Sequence, residues 1–244
     1  MAFIATFTIF TTFVTTIMSE AALIKKFDVQ IFKPGRTPTG ITVFLPGTML
    51  KLEDYSSTYD VLVEQNQIVI GFEKMNPFPI VGRSHKEMAG DVAKVVQEFL
   101  ALEGNASLPA KYNIVGHSLG GKVSLMVAAK DDIDSVNIII ALDPVDDKPR
   151  ELTAPRLVSL KHKLSGSKAE EIHLFQSEKG GDGLIPLCPA DRNASVVKEL
   201  YPDQITSLEI NAGSGHMSYR DTDTDDASKS ARESVHAKIR EVIS

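Results

Sequence analysis

The segment Tyr112-Asn113-Ile114-Val115-Gly116-His117-Ser118-Leu119-Gly120-Gly121 constrains the fold of this 244-residue chain more than any other. Residues 112–115 read as a strand buried on both faces, as in the interior of a parallel sheet. Residues 122–130 read as a helix. Between them lies Gly-x-Ser-x-Gly. So sharp a strand-to-helix turn leaves no room for side chains two residues either side of the serine, which calls for Gly116 and Gly120. The Ser118 hydroxyl is then held at the carboxyl edge of a sheet, at the start of a helix whose dipole favours developing negative charge. The chain around it must supply further parallel strands and helices to cover them.

It does so by alternation. Residues 27–33 alternate and read as an early edge strand, followed by the turn cluster 34–40. Residues 41–45, Gln67–Phe72 and Val136–Leu142 are continuous apolar runs that suit strands buried on both faces. Residues 171–176 and 207–210 add two more strands. Residues 84–100 have helical spacing, with Met88, Val92, Val95, Val96 and Phe99 on one side, and a last helix starts near Ala227. A loop is expected from Pro46-Gly47, a polar and basic stretch up to Lys168, and a Gly/Pro-rich loop through Asp191. No repeat or linker interrupts residues 22–244, which read as one domain.

Residues 1–18 carry no charge and are rich in Phe, Ile and Thr. The run is too diluted by Thr for a spanning helix, which needs about 20 mainly apolar residues. Residues 1–21 therefore read as a targeting or apolar segment, with Ser19-Glu20-Ala21 offering a small-x-small cleavage site. The basic residue expected before such a run is missing. A membrane-surface anchor and an extra strand or tail are the other readings.

A formal charge of −6 without a Lys/Arg cluster excludes a nucleic-acid partner. The one cysteine, Cys188, excludes an intrachain disulfide and reads as a half-buried small residue. Asn105-Ala106-Ser107 and Asn193-Ala194-Ser195 match the glycosylation acceptor pattern, which arises easily by chance. The run Asp221-Thr222-Asp223-Thr224-Asp225-Asp226 opens like a calcium loop but lacks its later Gly and Glu. It reads instead as a solvated acidic loop capping the last helix. No metal and no cofactor is expected.

A serine hydroxyl is a weak nucleophile and needs a histidine base with a carboxylate to orient it. His216, in Gly213-Ser214-Gly215-His216-Met217 just after the last strand, is the expected base. His236 lies in a charged helical run and reads as solvated. His117 reads as structural, and His162 and His173 as surface or packing residues. Three aspartates compete for the acid. Asp143 ends the apolar run 136–142 and is followed by Pro144, where an unpartnered carboxylate would be costly. Asp182 follows the second strand after the serine, a frequent place for the acid, and Asp191 follows it. Asp143 is favoured, with Asp182 and Asp191 left open. The N–H groups of Leu119 and Thr48 are the expected oxyanion donors. Met49, Leu50 and Met217 are expected to bind an apolar substrate tail, together with Met75, Phe78 and Ile80.

The order Ser, acid, His on this framework resembles the α/β hydrolases, and so predicts the α/β-hydrolase fold, a mostly parallel central sheet flanked by helices on both faces. Within them the segments ITVFLPG, IVGHSLGG, ALDPVDD, PLCPADRN and GSGHMSYRDTDTDD, in this order, resemble chlorophyllase, the plant and algal esterase. The resemblance implies metal-free hydrolysis of the phytyl ester of chlorophyll to chlorophyllide and phytol. It also implies Ser118, Asp143 and His216 as the triad, a chloroplast location, and a small lipophilic ester as partner; peripheral membrane contact is open to such a protein. Three positions depart from it: Leu119 stands where plant chlorophyllases usually carry Arg, Asp147 where a glycine follows LDPVD, and Ser218 where an acidic residue follows the histidine. The competing readings are a lipase or carboxylesterase on other lipophilic esters, an acyltransferase, and a binding protein on the same fold.

Overall fold

The seven apolar or alternating runs pair into one sheet. In the computed structural model, which describes residues 19–73, 85–129, 135–145, 164, 167–181 and 192–244, the strands are β1 (Val29–Phe32), β2 (Gly40–Leu45), β3 (Gln67–Phe72), β4 (Tyr112–His117), β5 (Val136–Leu142), β6 (Glu171–Ser177) and β7 (Ser207–Asn211). Their order is β1-β3-β2-β4-β5-β6-β7. Only β1 runs antiparallel to its neighbour; the other pairs are parallel. Strand β4, which carries the serine turn, therefore lies at the centre, and β2 and β3 are buried along their whole length.

Successive strand residues face opposite ways, so each apolar run feeds two cores. On one face Ile41, Val43, Ile114, Ile139 and Ile172 pack under α1 (Glu20–Phe27), α3 (His85–Leu100), α4 (Leu119–Ala128) and α5 (Asn193–Leu200). On the other Phe44, Val69, Val115 and Ile140 pack under α2 (Ser56–Glu64) and α6 (Asp226–Val242). Burying two faces is why these strands read as unbroken apolar stretches rather than as alternation.

The strands fall within one or two residues of the sequence-based bounds, while three helices were not anticipated. Ser19 caps α1, accepting from the Ala22 N–H at 3.3 Å, and Leu23 is fully buried. Cleavage after Ala21 would remove this cap and the first residues of α1, whereas residues 1–18 lie outside the described residues. Helix α2 has no side-chain cap of its own at Tyr55; its first turn is capped from far away, where Asp221 accepts from the Ser57 N–H and the Ser56 hydroxyl, both at 2.9 Å. Helix α5 starts at Asn193, after an N-cap, Arg192, that has left-handed backbone and gives no side-chain cap. Helix α4 begins at Leu119, three residues before the expected start, because Ser118 itself is the N-cap and Gly120-Gly121 disguise the first turn.

The acidic run is only partly the solvated cap expected. Asp225 does cap α6, accepting from the Ser228 N–H at 2.9 Å. Asp221 is spent on α2, and Asp223 pairs with Arg220 at 3.0 Å. Of the two acceptor-like asparagines, Asn193 is buried and Asn105 donates to the Phe99 carbonyl at 2.9 Å.

Candidate active site

Ser118 sits at φ 54°, ψ −117°, a conformation few non-glycine residues hold. The glycines around it are required by contact. A Cβ on Gly116 would lie 2.4 Å from the Gly120 carbonyl oxygen, and one on Gly120 2.1 Å from that of Leu45. The turn presents the Ser118 hydroxyl to His216 Nε2 at 2.9 Å, and His216 Nδ1 donates to Asp143 Oδ2 at 2.6 Å. The three side chains come from the ends of β4 and β5 and the loop after β7, and all are buried. Because Nδ1 holds the proton given to the carboxylate, Nε2 is left to accept from the serine.

Asp143, 1 % exposed, is compensated by three donors. Besides His216, the Ser177 N–H reaches Oδ1 at 3.0 Å and the Ser177 hydroxyl reaches Oδ2 at 2.8 Å. Ser177 ends β6, the second strand after the serine, where the acid is often found; here that position supplies a hydroxyl that supports Asp143. Asp182 and Asp191 lie outside the described residues. Nothing in the sequence marked Ser177, whose role exists only through a partner 34 positions away.

Leu119 is the first residue of α4, so its N–H has no intrahelical acceptor and faces the edge where Ser118 sits. Its side chain is buried among the core residues under α3 and α4. The loop after β2 closes a tight turn in which the Leu50 N–H donates to the Gly47 carbonyl at 3.2 Å, with Thr48 and Met49 at its tip. This loop presses on the serine turn: a Cβ on Gly47 would lie 3.2 Å from both Ser118 Cβ and His117 Nδ1. The Gly47 N–H is committed to the Tyr55 hydroxyl at 3.2 Å and so is not the oxyanion donor of this loop, where the sequence points to Thr48. Among the three residues expected to hold an apolar tail, Leu50 is buried in the core and Met217 is half-buried against it. Met49 alone is open, 66 % exposed and held at φ 62°. Met75, Phe78 and Ile80 lie outside the described residues.

His117 is fully buried behind this row. Its Nδ1 accepts from the Tyr55 hydroxyl at 2.7 Å, and its Nε2 donates to the His216 carbonyl at 2.8 Å. Burial and then the neighbouring His216 push its pKa well below the ordinary histidine value, so it stays neutral. Tyr55, raised by burial, stays protonated. Tyr55 went unnoticed in the sequence. His236 is half-buried rather than solvated, within hydrogen-bond distance of Thr58 Oγ1 at 3.2 Å, and burial lowers its pKa. His162 and Cys188 lie outside the described residues.

His173 makes an instructive contrast. It lies 2.8 Å from both Ser207 Oγ and Glu171 Oε2, a like row of hydroxyl, imidazole and carboxylate with Glu in place of Asp, at the opposite edge of the sheet. Ser207 lies in a regular strand with no helix starting after it, so no N–H groups converge there. Among the described residues, no group of three or more His, Cys, Asp or Glu could hold a metal ion. No helix among them is long and apolar enough to cross a membrane.

No family model and no curated protein sequence matches the chain. Solved structures do. A dienelactone hydrolase from Anabaena variabilis superposes with a TM-score of 0.58 at 13% identity, covering 88% of this chain and 92% of its own. Esterase PE8 superposes with a TM-score of 0.60 at 14% identity, covering 87% of this chain and 97% of its own. Neither is described as a chlorophyllase. With its central serine strand, mostly parallel order and helices on both faces, the chain has the α/β-hydrolase fold.

Proposed function

We propose that this chain is a carboxylic ester hydrolase working through an acyl-enzyme on Ser118, and that its substrate is a lipophilic ester such as the phytyl ester of chlorophyll. The observation that carries the reaction class is the continuous row Ser118 Oγ, His216 Nε2, His216 Nδ1, Asp143 Oδ2, with spacings of 2.9 and 2.6 Å. His216 Nε2 takes the hydroxyl proton as Ser118 Oγ attacks the ester carbonyl. The resulting oxyanion meets the N–H groups of Leu119 and Thr48, and the Asp143 carboxylate stabilises the imidazolium. His216 then protonates the departing alcohol, and water repeats the sequence to release the acid. No step requires a metal.

The substrate rests on the sequence resemblance, on Met49 at the rim, and on solved neighbours described as a dienelactone hydrolase and an esterase. A broader carboxylesterase is the second reading. The burial of Leu119 favours it, since no cationic side chain stands beside the serine where plant chlorophyllases carry Arg. The test offers the purified protein chlorophyll a and a p-nitrophenyl ester, beside Ser118→Ala. Cleavage of both by the wild type alone is the expected result. Cleavage of the small ester alone leaves the esterase, and equal rates for wild type and Ser118→Ala would overturn the reaction itself.

A further inference from the structure

We propose that Tyr55 and His117 are positioning residues that clamp the loop carrying His216 to the loop carrying Thr48. This inference rests on the ester-hydrolase reading of the Ser118 site and adds to it two residues that touch no reacting atom.

The clamp is a hydrogen-bonded chain with a single direction. The Gly47 N–H donates to the Tyr55 oxygen at 3.2 Å, and the Tyr55 hydroxyl donates its one hydrogen bond to His117 Nδ1 at 2.7 Å. His117 must therefore carry its own proton on Nε2, which donates to the His216 carbonyl at 2.8 Å. A carbonyl can only accept, so both ends enforce the same tautomer. Tyr55 and His117 are fully buried, and a broken bond anywhere would strand a polar group away from water.

The two loops need such a link. They follow β2 and β7, which three strands separate in the sheet. Loops at a sheet edge are the mobile parts of a fold, and here one holds the base while the other holds an oxyanion donor. The His117 ring, centred 4.7 Å from the His216 ring and tilted against it, also packs on it directly. A leucine at position 117 would fill much of the same space; the directional bonds are what it would lose.

Tyr55→Phe, His117→Leu and His117→Gln are each assayed on a p-nitrophenyl ester, with thermal unfolding measured alongside. The expected loss in kcat is about 100-fold for His117→Leu and about 10-fold for Tyr55→Phe, with KM nearly unchanged, as for misplaced catalytic groups. The Gln amide can donate where Nε2 did, so His117→Gln recovers most of the rate. The double variant Tyr55→Phe/His117→Leu is no worse than His117→Leu. The downfield proton resonance of His216 Nδ1–H against Asp143 gives a readout free of turnover, sharp in the wild type and shifted or broadened in Tyr55→Phe and His117→Leu. Folded Tyr55→Phe with wild-type kcat and an unmoved resonance would overturn the proposal, as would a folded His117→Gln no better than His117→Leu. Should His117→Leu not fold, Tyr55→Phe and His117→Gln decide by rate and resonance. If the wild type is no faster than Ser118→Ala, the ester-hydrolase reading fails and the resonance alone decides the clamp.

Discussion

Adding one methyl group at Gly120 tests whether the serine turn is set by contact. The new Cβ would lie 2.1 Å from the Leu45 carbonyl oxygen, 2.6 Å from its carbon and 2.7 Å from the Pro46 oxygen. All three are backbone atoms. Leu45 cannot retreat easily, because it is registered against Gly116 of β4. Relief requires a movement of about 1 Å, shared between the first turn of α4 and the loop after β2, at an overpacking cost of about 1–3 kcal/mol. Either movement damages the site. Shifting α4 stretches the 2.9 Å contact between Ser118 and His216, and shifting the loop displaces Thr48, the proposed oxyanion donor. A misplacement of this size costs about 100-fold in kcat/KM. Gly35→Ala is the control, since nothing lies within 4 Å of its Cβ position. Gly121→Ala, with its nearest contact at 3.0 Å, should fall between them. The assay is kcat/KM on a p-nitrophenyl ester with thermal unfolding of each variant. A folded Gly120→Ala as active as the Gly35→Ala control would refute the reasoning.

Asp143→Asn should leave the fold intact and lower kcat by about 10⁴-fold, because an amide N–H facing Nδ1 forces the proton onto Nε2 and removes the base. Asp182→Asn should remain near wild type, and the opposite ranking would reassign the acid. Burial and then nearby Lys122 lower the His85 pKa to about 4, against an ordinary value of 6.5. The folded state thus disfavours the proton, so this stability is complete above about pH 6.5 and is lost as the pH falls toward 4. The gap corresponds to about 3 kcal/mol. Unfolding midpoints measured from pH 7 to 4 should fall less steeply in His85→Leu, and parallel curves would remove His85 as a cause.

What could be read in the sequence follows what is local. Strands β2 and β3 are buried on both faces, so their apolar runs announce them within a residue. Ser118, Asp143 and His216 sit at strand ends or in a loop just beyond one, among glycines and a proline that local sequence exposes. Helix α2 stayed hidden because its cap, Asp221, lies far along the chain. Tyr55 and Ser177 stayed hidden for the same reason: a tyrosine and a serine gain meaning only from His117 and Asp143, 62 and 34 positions away. The expected tail-binding set mixed two fates. Leu50 went to the core and Met49 to the surface, a split set by one tight turn rather than by hydrophobicity.

The left-handed backbone of Ser118 ties reactivity to the history of each molecule. That conformation is held in part by residues beyond β4: the Ser118 N–H donates to the Leu142 carbonyl of β5 at 2.9 Å, and the Ser118 carbonyl receives the Val145 N–H at 3.3 Å. Parallel pairings of this kind are slow to form, because their loops must close before any contact rewards them. A chain whose β4 and β5 have not yet met lacks these bonds, and with them part of what bends the serine out of relaxed geometry. Its hydroxyl is then as inert as any on an unfolded peptide. Covalent labelling by a serine-directed reagent would therefore count finished molecules during refolding, and the protein carries its own clock for the closing of its central sheet.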